Sequence, residues 1–328
     1  MHITAPRPAQ SPSAQSCSDR RQFLRLTATF SAGALLAGCG GADEADTASE
    51  PIVVVPAPAT PTSAPVPTGF AEESHPLNLA LMLAYIGAQY YGYAARGSGL
   101  SSTMTGGIGR AGAVTGARQA SFTDPSLAAH AAELADDKQR HVTRLRDQMG
   151  ALAAAQPTLD LSGGATGAFS AAAQAVGIVA PGVAFDPYAS DDQFLLGAFL
   201  VEDAVAATYR TLLGQTNDPA AGGILSSNLA DAIYHGGLIR TFLDDAAAAN
   251  PAIGRALSGA STMLGALDAS NAGDQSLTGA TGSSSNIQDA EGRPIPFTRA
   301  TTQVLKSLYL SGTGIGGFLP AGVNGVAV

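Results

Sequence analysis

The chain has 328 residues, and its 26 acidic and 17 basic residues give it a formal net charge of −9 at pH 7. This acidic balance argues against binding to nucleic acid, and against binding to anionic lipid through a basic patch. About 250 residues follow the first 75, which is enough for one good hydrophobic core.

Residues 1–38 have the pattern of an export signal. Arg20 and Arg21 precede a short apolar run from Leu26 to Ala37, as in twin-arginine signal peptides. The run is too short to span a bilayer unaided. It leads into Leu36-Ala37-Gly38-Cys39, which resembles a bacterial lipobox. That resemblance implies an acylated Cys39 as the mature N-terminus. The alternative is a plain signal peptide with an incidental cysteine.

Export and lipidation would use up both cysteines of the chain. Cys17 would be removed with the signal and Cys39 would carry lipid, so neither a disulfide framework nor a thiolate metal site is expected. Any metal would have to be bound by His, Asp, Glu or Tyr. We predict a periplasmic protein, anchored to a bacterial membrane through the lipid on Cys39; the outer membrane is favoured, and the inner membrane is the alternative.

Composition divides the rest of the chain into three parts. Residues 39–75 are rich in Pro, Ala and Thr, which is typical of a disordered tether. Residues 76–250 carry four long amphipathic segments, and residues 251–328 form a C-terminal extension.

The four segments predict four long helices, because their apolar residues recur every three or four positions. Capping residues mark several ends, including Asp124 before Pro125 and Ser190 three residues before Gln193. Gly97, Gly150 and Gly214 predict the ends of the first three helices. The predicted spans are Leu77–Arg96, Pro125–Met149, Asp191–Leu213 and Pro219–Ala248.

The connections favour one topology. A short turn joins the third and fourth helices, which makes them antiparallel neighbours. The long segment Ala151–Ser190 suits a crossover along the bundle, with a short helix near 168–176. The Gly/Ser-rich loop Gly97–Ser121 is unusually long, and is either ordered over one end of the bundle or mobile.

The extension predicts a helix over Ala252–Leu267, a polar loop over Asp268–Pro296 and a last helix over Arg299–Leu310. A glycine-rich tail follows. We expect Phe318 and Leu319 of this tail to dock on the bundle.

Each long helix carries an unusual residue on its apolar stripe. Such a layout outlines a carboxylate-bridged dinuclear metal site inside a four-helix bundle. The residues in chain order are Ala84, then Lys138 with His141, then Glu202, then Ala232 with His235.

Five stretches together resemble the bacterial ferritin-like family that includes desiccation-related proteins, over Pro76 to Val328. The resemblance implies an all-α fold, namely a ferritin-like four-helix bundle with a long crossover between helices two and three, plus C-terminal helices and a glycine-rich tail. The stretches are residues 77–81 (LNLAL), 140–146 (RHVTRLR), 199–203 (FLVED), 234–241 (YHGGLIRT) and 316–325 (GGFLPAGVNG).

Metal-loaded bundles of this kind use one Glu from each of two helices and Glu-x-x-His from each of the other two. Carried over to this chain, Glu202 keeps its carboxylate, and His141 and His235 keep their imidazoles. Lys138 stands at a carboxylate slot. Ala84 and Ala232 stand at the other two carboxylate slots, which are therefore vacated.

The resemblance thus implies a degenerate metal site. Two divalent ions carry four positive charges. The Glu202 carboxylate would neutralise one of them, which would leave about three uncompensated in a dry core. One hypothesis is that the Lys138 ammonium replaces the metal and pairs with Glu202, because a buried lysine almost requires such a partner. The other hypothesis is a mononuclear metal site formed by Glu202, His141 and His235, since two His and a carboxylate suit zinc or iron.

Ordinary structural roles remain open for the same residues. Lys138 could lie on a solvated face, Glu202 could be exposed, and the two histidines could be hydrogen-bonded core residues. Tyr91 and Tyr209 are either packing residues or hydrogen-bond partners of the centre.

We therefore predict a non-enzymatic envelope lipoprotein without a bound cofactor, with a stress- or desiccation-protective role implied by the resemblance alone. The alternative is a metal-dependent oxidoreductase, such as a ferroxidase or manganese catalase, using iron, manganese or zinc. A third hypothesis is a binding module whose partner surface is the Gly97–Ser121 loop and the tail. A second copy of the chain or another envelope protein is the expected partner.

Overall fold

The computed structural model describes residues 77–265, 298–310 and 314–324. The predicted signal, the tether, Cys39 and the whole of the polar loop 268–296 lie outside the described residues. Four long helices dominate the described part. They are α1 (Asn78–Arg96), α3 (Pro125–Met149), α5 (Asp191–Gln215) and α6 (Pro219–Ala249).

Shorter elements lie between and after the long helices. The loop after α1 holds α2 (Ser102–Thr105) and the two-residue strand β1 (Val114–Thr115). A 3₁₀ turn (Gly150–Leu152), strand β2 (Leu159–Asp160) and α4 (Ala168–Ala175) follow α3. The extension contributes α7 (Pro251–Gly265) and α8 (Thr301–Tyr309). The fold is all-α, as the sequence predicted, with one minimal parallel ribbon of β1 and β2.

Capping side chains fix where the long helices begin. The Asp124 carboxylate accepts a hydrogen bond from the Ser126 amide at 2.7 Å, and Ser190 Oγ accepts one from the Gln193 amide at 3.3 Å. These side chains satisfy amide groups that have no partner within the helix. The Asp191 carboxylate also accepts from the Thr123 and Asp124 amides, and so ties the start of α3 to the start of α5.

The end of the third long helix differs from the prediction. Gly214 is expected from the sequence to terminate this helix, but α5 continues to Gln215 and stops where Thr216 becomes extended. Gly214 is absent from the described glycines with positive φ. By contrast, Gly97 does close α1 in the left-handed conformation, with φ 70°. A glycine ends a helix only when its neighbours make it adopt that conformation.

The bundle is built on α1. It packs against α3 and α5, while α6 packs against α5 and α3. Residues 216–218 join α5 to α6 as the predicted short turn, and residues 150–190 make the predicted long crossover between α3 and α5. None of the described helices has a stretch of the length and apolarity needed to cross a bilayer.

The long loop after α1 is ordered and pairs with the beginning of the crossover. Val114 pairs with Leu159 and Thr115 with Asp160, in parallel register. The Gly112 amide also donates to the Gln156 carbonyl at 2.8 Å. The loop therefore supplies hydrogen bonds to crossover backbone that would otherwise be buried without partners.

The glycine-rich tail docks as predicted. Phe318 is 7% exposed and Leu319 is fully buried. The Asp160 amide donates to the Phe318 carbonyl at 3.1 Å, and the Phe318 ring meets Phe169 edge-on at 5.1 Å. Further along, Asn324 Nδ2 donates to the Ala155 carbonyl at 3.0 Å. The end of the chain thus holds the crossover against the bundle.

Candidate functional site

The six residues singled out in the sequence all lie in the core. Lys138 and His141 on α3, and His235 and Ala232 on α6, are at most 1% exposed; Ala84 on α1 is 1% exposed and Glu202 on α5 is 2% exposed. The alternatives that placed Lys138 on a solvated face and Glu202 in solvent are therefore wrong.

A buried ion pair lies at the middle of the bundle. Lys138 Nζ donates to Glu202 Oε2 at 2.5 Å. Glu202 is the only hydrogen-bond partner that Lys138 has within the described residues. The stem of Lys138 lies beside α1, where a β-carbon added at Gly87 would be 3.4 Å from Lys138 Cδ. The absence of a side chain at Gly87 leaves room for the lysine to reach the carboxylate.

Two aspartates that sequence reasoning missed hold the histidines. His141 Nε2 lies 3.1 Å from Asp231 Oδ2, and His235 Nε2 lies 3.0 Å from Asp137 Oδ2. Each helix contains Asp-x-x-x-His, and each aspartate contacts the histidine of the other helix. The imidazole rings stack at 6.1 Å between centroids with 26° between their planes.

These contacts define the protonation of the histidines. Burial, followed by the charge of Lys138, lowers the pKa of His141 to about 2. Burial and Lys138 also lower the pKa of His235, although Glu202 and Asp137 act in the opposite direction. Both rings are therefore neutral at physiological pH. Because a carboxylate only accepts, each Nε2 carries the proton and each Nδ1 keeps its lone pair.

Several polar atoms of the centre are buried without a hydrogen-bond partner among the described residues. They are both Nδ1 atoms, Glu202 Oε1, and the hydroxyls of Tyr91 and Tyr209. His235 Nδ1 lies 3.8 Å from Glu202 Oε2. Burial raises the pKa of both tyrosines, and the negative charge of Glu202 raises each further. The tyrosines thus remain neutral and face the same carboxylate.

Two arginines at the helix surface complete the charge balance around the centre. Arg140 pairs with Asp137, and Arg144 Nη1 lies 3.3 Å from Asp231 Oδ2. Since Lys138 also balances Glu202, every charge at or next to the centre has an opposite partner. An added cation would enter a site without spare negative charge.

One buried polar side chain of α1 lies outside the centre. Gln89 donates from Nε2 to Gln156 Oε1 at 2.5 Å and accepts from the Leu100 amide at 3.2 Å. It fastens the long loop, outside the centre. The signal for Asp137 and Asp231 was the repeated Asp-x-x-x-His spacing, which puts both residues on one helix face.

The structure is an antiparallel four-helix bundle with a long crossover between its second and third long helices. Polar residues from all four helices converge midway along it. This combination defines a ferritin-like protein. The family model described as Ferritin-like domain matches residues 73–245, more than half of the chain, and the chain belongs to this family. No match is found among curated proteins or among solved structures.

Bundles of this family bind two metal ions through four carboxylates and two histidines. The donors present here do not fit that group. At the three positions where the resemblance implies carboxylates, Ala84 and Ala232 have no ligating atom and Lys138 has a cationic side chain. Over residues 77–265, 298–310 and 314–324, no group of three or more His, Cys, Asp or Glu side chains is placed to hold a metal ion.

Proposed function

We propose that this is a non-enzymatic, ferritin-like envelope lipoprotein whose dinuclear metal site is degenerate. The observation that carries the proposal is the 2.5 Å contact between Lys138 Nζ and Glu202 Oε2 in the middle of the bundle. The ammonium supplies the positive charge that metal ions supply in a loaded bundle.

Charge explains why the lysine would exclude metal. A divalent ion beside Glu202 would also lie beside the ammonium, and two such cations repel strongly in a medium of low permittivity. The neutral histidines offer lone pairs but no negative charge. The Asp137 and Asp231 carboxylates are already engaged by Nε2–H groups and by arginines.

The competing function is a metal-dependent oxidoreductase with one iron, manganese or zinc ion. The observation that favours it is the set of unpartnered acceptors, namely Nδ1 of His141, Nδ1 of His235 and Oε1 of Glu202. Two imidazoles and a carboxylate make a plausible ligand set for such an ion. This function requires Lys138 to leave the centre or to lose its proton.

Metal loading separates the two proposals. The purified full chain is incubated with Fe²⁺, Mn²⁺ or Zn²⁺, desalted and measured by elemental analysis. We expect no stoichiometric metal in the wild type, about one ion per chain in Lys138→Met, and none in Lys138→Met/Glu202→Ala. About one tightly held ion in the wild type, lost in Glu202→Ala, would establish the oxidoreductase site instead.

The envelope location rests on the motif at Arg20, Arg21 and Cys39. Fractionation of the native host tests it. We expect the protein in the membrane fraction, release of the Cys39→Ala variant into the soluble fraction, and retention of Arg20→Lys/Arg21→Lys in the cytoplasm. Unchanged fractionation of both variants would refute the proposed anchor and export route.

The protective role rests on family resemblance, and the proposed partner is a second copy of the chain or another envelope protein. Survival of a deletion strain after drying and rehydration tests the role, with the wild type and Lys138→Met/Glu202→Leu as complementing genes. We expect both genes to restore survival, because the role does not use metal. Light scattering of the purified chain measures whether it forms the homodimer.

A further inference from the structure

A second feature of the molecule lies on the other side of α5 from the buried centre. A cavity of about 480 Å³ opens between the bundle and the C-terminal extension. Its volume is within the range of small-molecule binding sites. Its aliphatic lining comes from α1, α4, α5, α7 and α8, and includes Leu83, Ile86, Ala171, Leu200, Ala204 and Met263.

One ion pair is built into the cavity wall. The Arg299 guanidinium donates two hydrogen bonds to the Asp203 carboxylate, and the one from Nη2 to Oδ1 is 3.1 Å long. The side chains of Arg299 and Asp203 are 1% and 5% exposed. These two charges cancel, and the pair contributes a rigid polar wall rather than a free charge.

Two further polar groups line the cavity without such compensation. Lys306 is exposed and has no salt-bridge partner among the described residues. Gln303 Oε1 is buried and has no hydrogen-bond partner there. Among the described residues, the charged side chains of the lining are Asp203, Arg299 and Lys306, which leave one positive charge. Lys306 is also one of only two lysines in the chain, the other being the buried Lys138.

We infer that this cavity binds an amphiphile with a single aliphatic chain and an anionic head group. The aliphatic walls exclude water and would take the chain, since each methylene removed from water favours binding. The Lys306 ammonium would meet the head group at the opening. Charge complementarity at Lys306 selects an anion over a cation. The inference does not depend on the state of the metal centre.

Titration calorimetry of the full chain tests the ligand class below the critical micelle concentration. Dodecanoate and dodecyl phosphate separate a carboxylate from a phosphate head group. Dodecyltrimethylammonium tests whether the head group must be negative rather than positive. Dodecanol tests whether binding requires a charged head group at all, and hexanoate tests whether it requires a long aliphatic chain. We expect one saturable site for at least one of the two anions, and binding of the other three that is weaker by about tenfold or more.

Variants place the ligand in the cavity. Lys306→Gln should weaken binding of the anion about three- to tenfold, because a charge at an opening is partly screened. Arg255→Gln is the matched control, because Arg255 is an exposed cation of α7 that does not line the cavity. Ala204→Phe should abolish binding by filling the cavity. Ala171→Leu serves the same purpose if the larger substitution prevents folding.

Amine acetylation gives a second readout of position. Lys306 is exposed, whereas Lys138 is fully buried, so Lys306 is the lysine that reagents reach in the folded chain. Bound anion should slow its acetylation. The inference is overturned if neither anion binds saturably, if dodecanol binds as tightly as the anions, or if binding survives both Lys306→Gln and the cavity-filling variants.

Discussion

Removing one member of the Lys138–Glu202 pair should destabilise the bundle much more than removing both. The side chains are 0% and 2% exposed, and their charged atoms are 2.5 Å apart. In Lys138→Met the stem still packs beside Gly87, but the Glu202 carboxylate loses the one donor that it has among the described residues. We expect a cost of about 3–5 kcal/mol, typical of a buried charge left without its partner. Glu202→Leu should cost a similar amount, because it leaves the Lys138 ammonium buried without its carboxylate partner.

The double variant Lys138→Met/Glu202→Leu should be close to the wild type in stability, or about 1–4 kcal/mol more stable, because apolar replacement of both partners removes the desolvation cost. The two single variants and the double variant form a thermodynamic cycle with an expected coupling energy of about 6 kcal/mol or more, because each single variant costs about 3 kcal/mol or more and the double variant costs close to nothing. The assay is urea unfolding at pH 7.5, followed by far-ultraviolet circular dichroism.

An exposed ion pair provides the control. Arg96 Nη2 lies 2.7 Å from Asp136 Oδ1, with side chains 38% and 53% exposed. Asp136→Asn should therefore cost less than about 1 kcal/mol. If either single variant at the buried pair costs as little as this control, or if the two costs simply add, then the ion pair does not organise the core and the proposed replacement of metal by ammonium loses its basis.

Three further predictions concern the histidines, the loop and the tail. His141 takes up a proton below pH 6.5 when unfolded but only near pH 2 when folded, so stability falls as pH falls. Between pH 7.5 and 5 its share is about 2 kcal/mol, measurable as the change in the difference in unfolding free energy between the wild type and His141→Gln; a difference that stays the same at both pH values would contradict this prediction. Gly112→Ala should cost about 1–3 kcal/mol of unfolding free energy, because the added β-carbon would lie 2.1 Å from the Thr158 amide nitrogen. Gly106→Ala is the control and should be nearly neutral, because its β-carbon would have nothing within 4 Å. Equal costs of the two variants in urea unfolding would contradict the loop pairing. Phe318→Ala should cost about 3 kcal/mol or more and expose the crossover to limited proteolysis, and unchanged protection would show that the tail does not hold it.

The long helices could be predicted because their signals are local. Asp124 with Pro125 and Asp218 with Pro219 mark helix starts within a few residues, and the structure places α3 and α6 at those positions. The pairing of Val114 with Leu159 could not be predicted in this way. Strands of two residues have no periodicity, and their partners come from a distant part of the chain.

The centre was accessible from the sequence only in part. A lysine on an apolar stripe needs an acid, and Glu202 was the acid on a facing stripe; the structure has the two side chains in contact. Asp137 and Asp231 were overlooked because each seemed to belong to the polar face of its own helix. Their carboxylates reach across to the neighbouring helix, and a helical wheel of one segment cannot show such contacts. Whether the centre ever binds metal stays a prediction.

The docked tail has a consequence for how the chain matures. Backbone of the crossover near Asp160 and Ala155 finds hydrogen-bond partners in Phe318 and Asn324, and Asn324 lies 169 residues after Ala155. These partners become available only after residues 318–324 have emerged from the ribosome. The crossover therefore cannot complete its hydrogen bonds before then, and premature termination before residue 318 should yield a product that proteases clear rather than a smaller working protein.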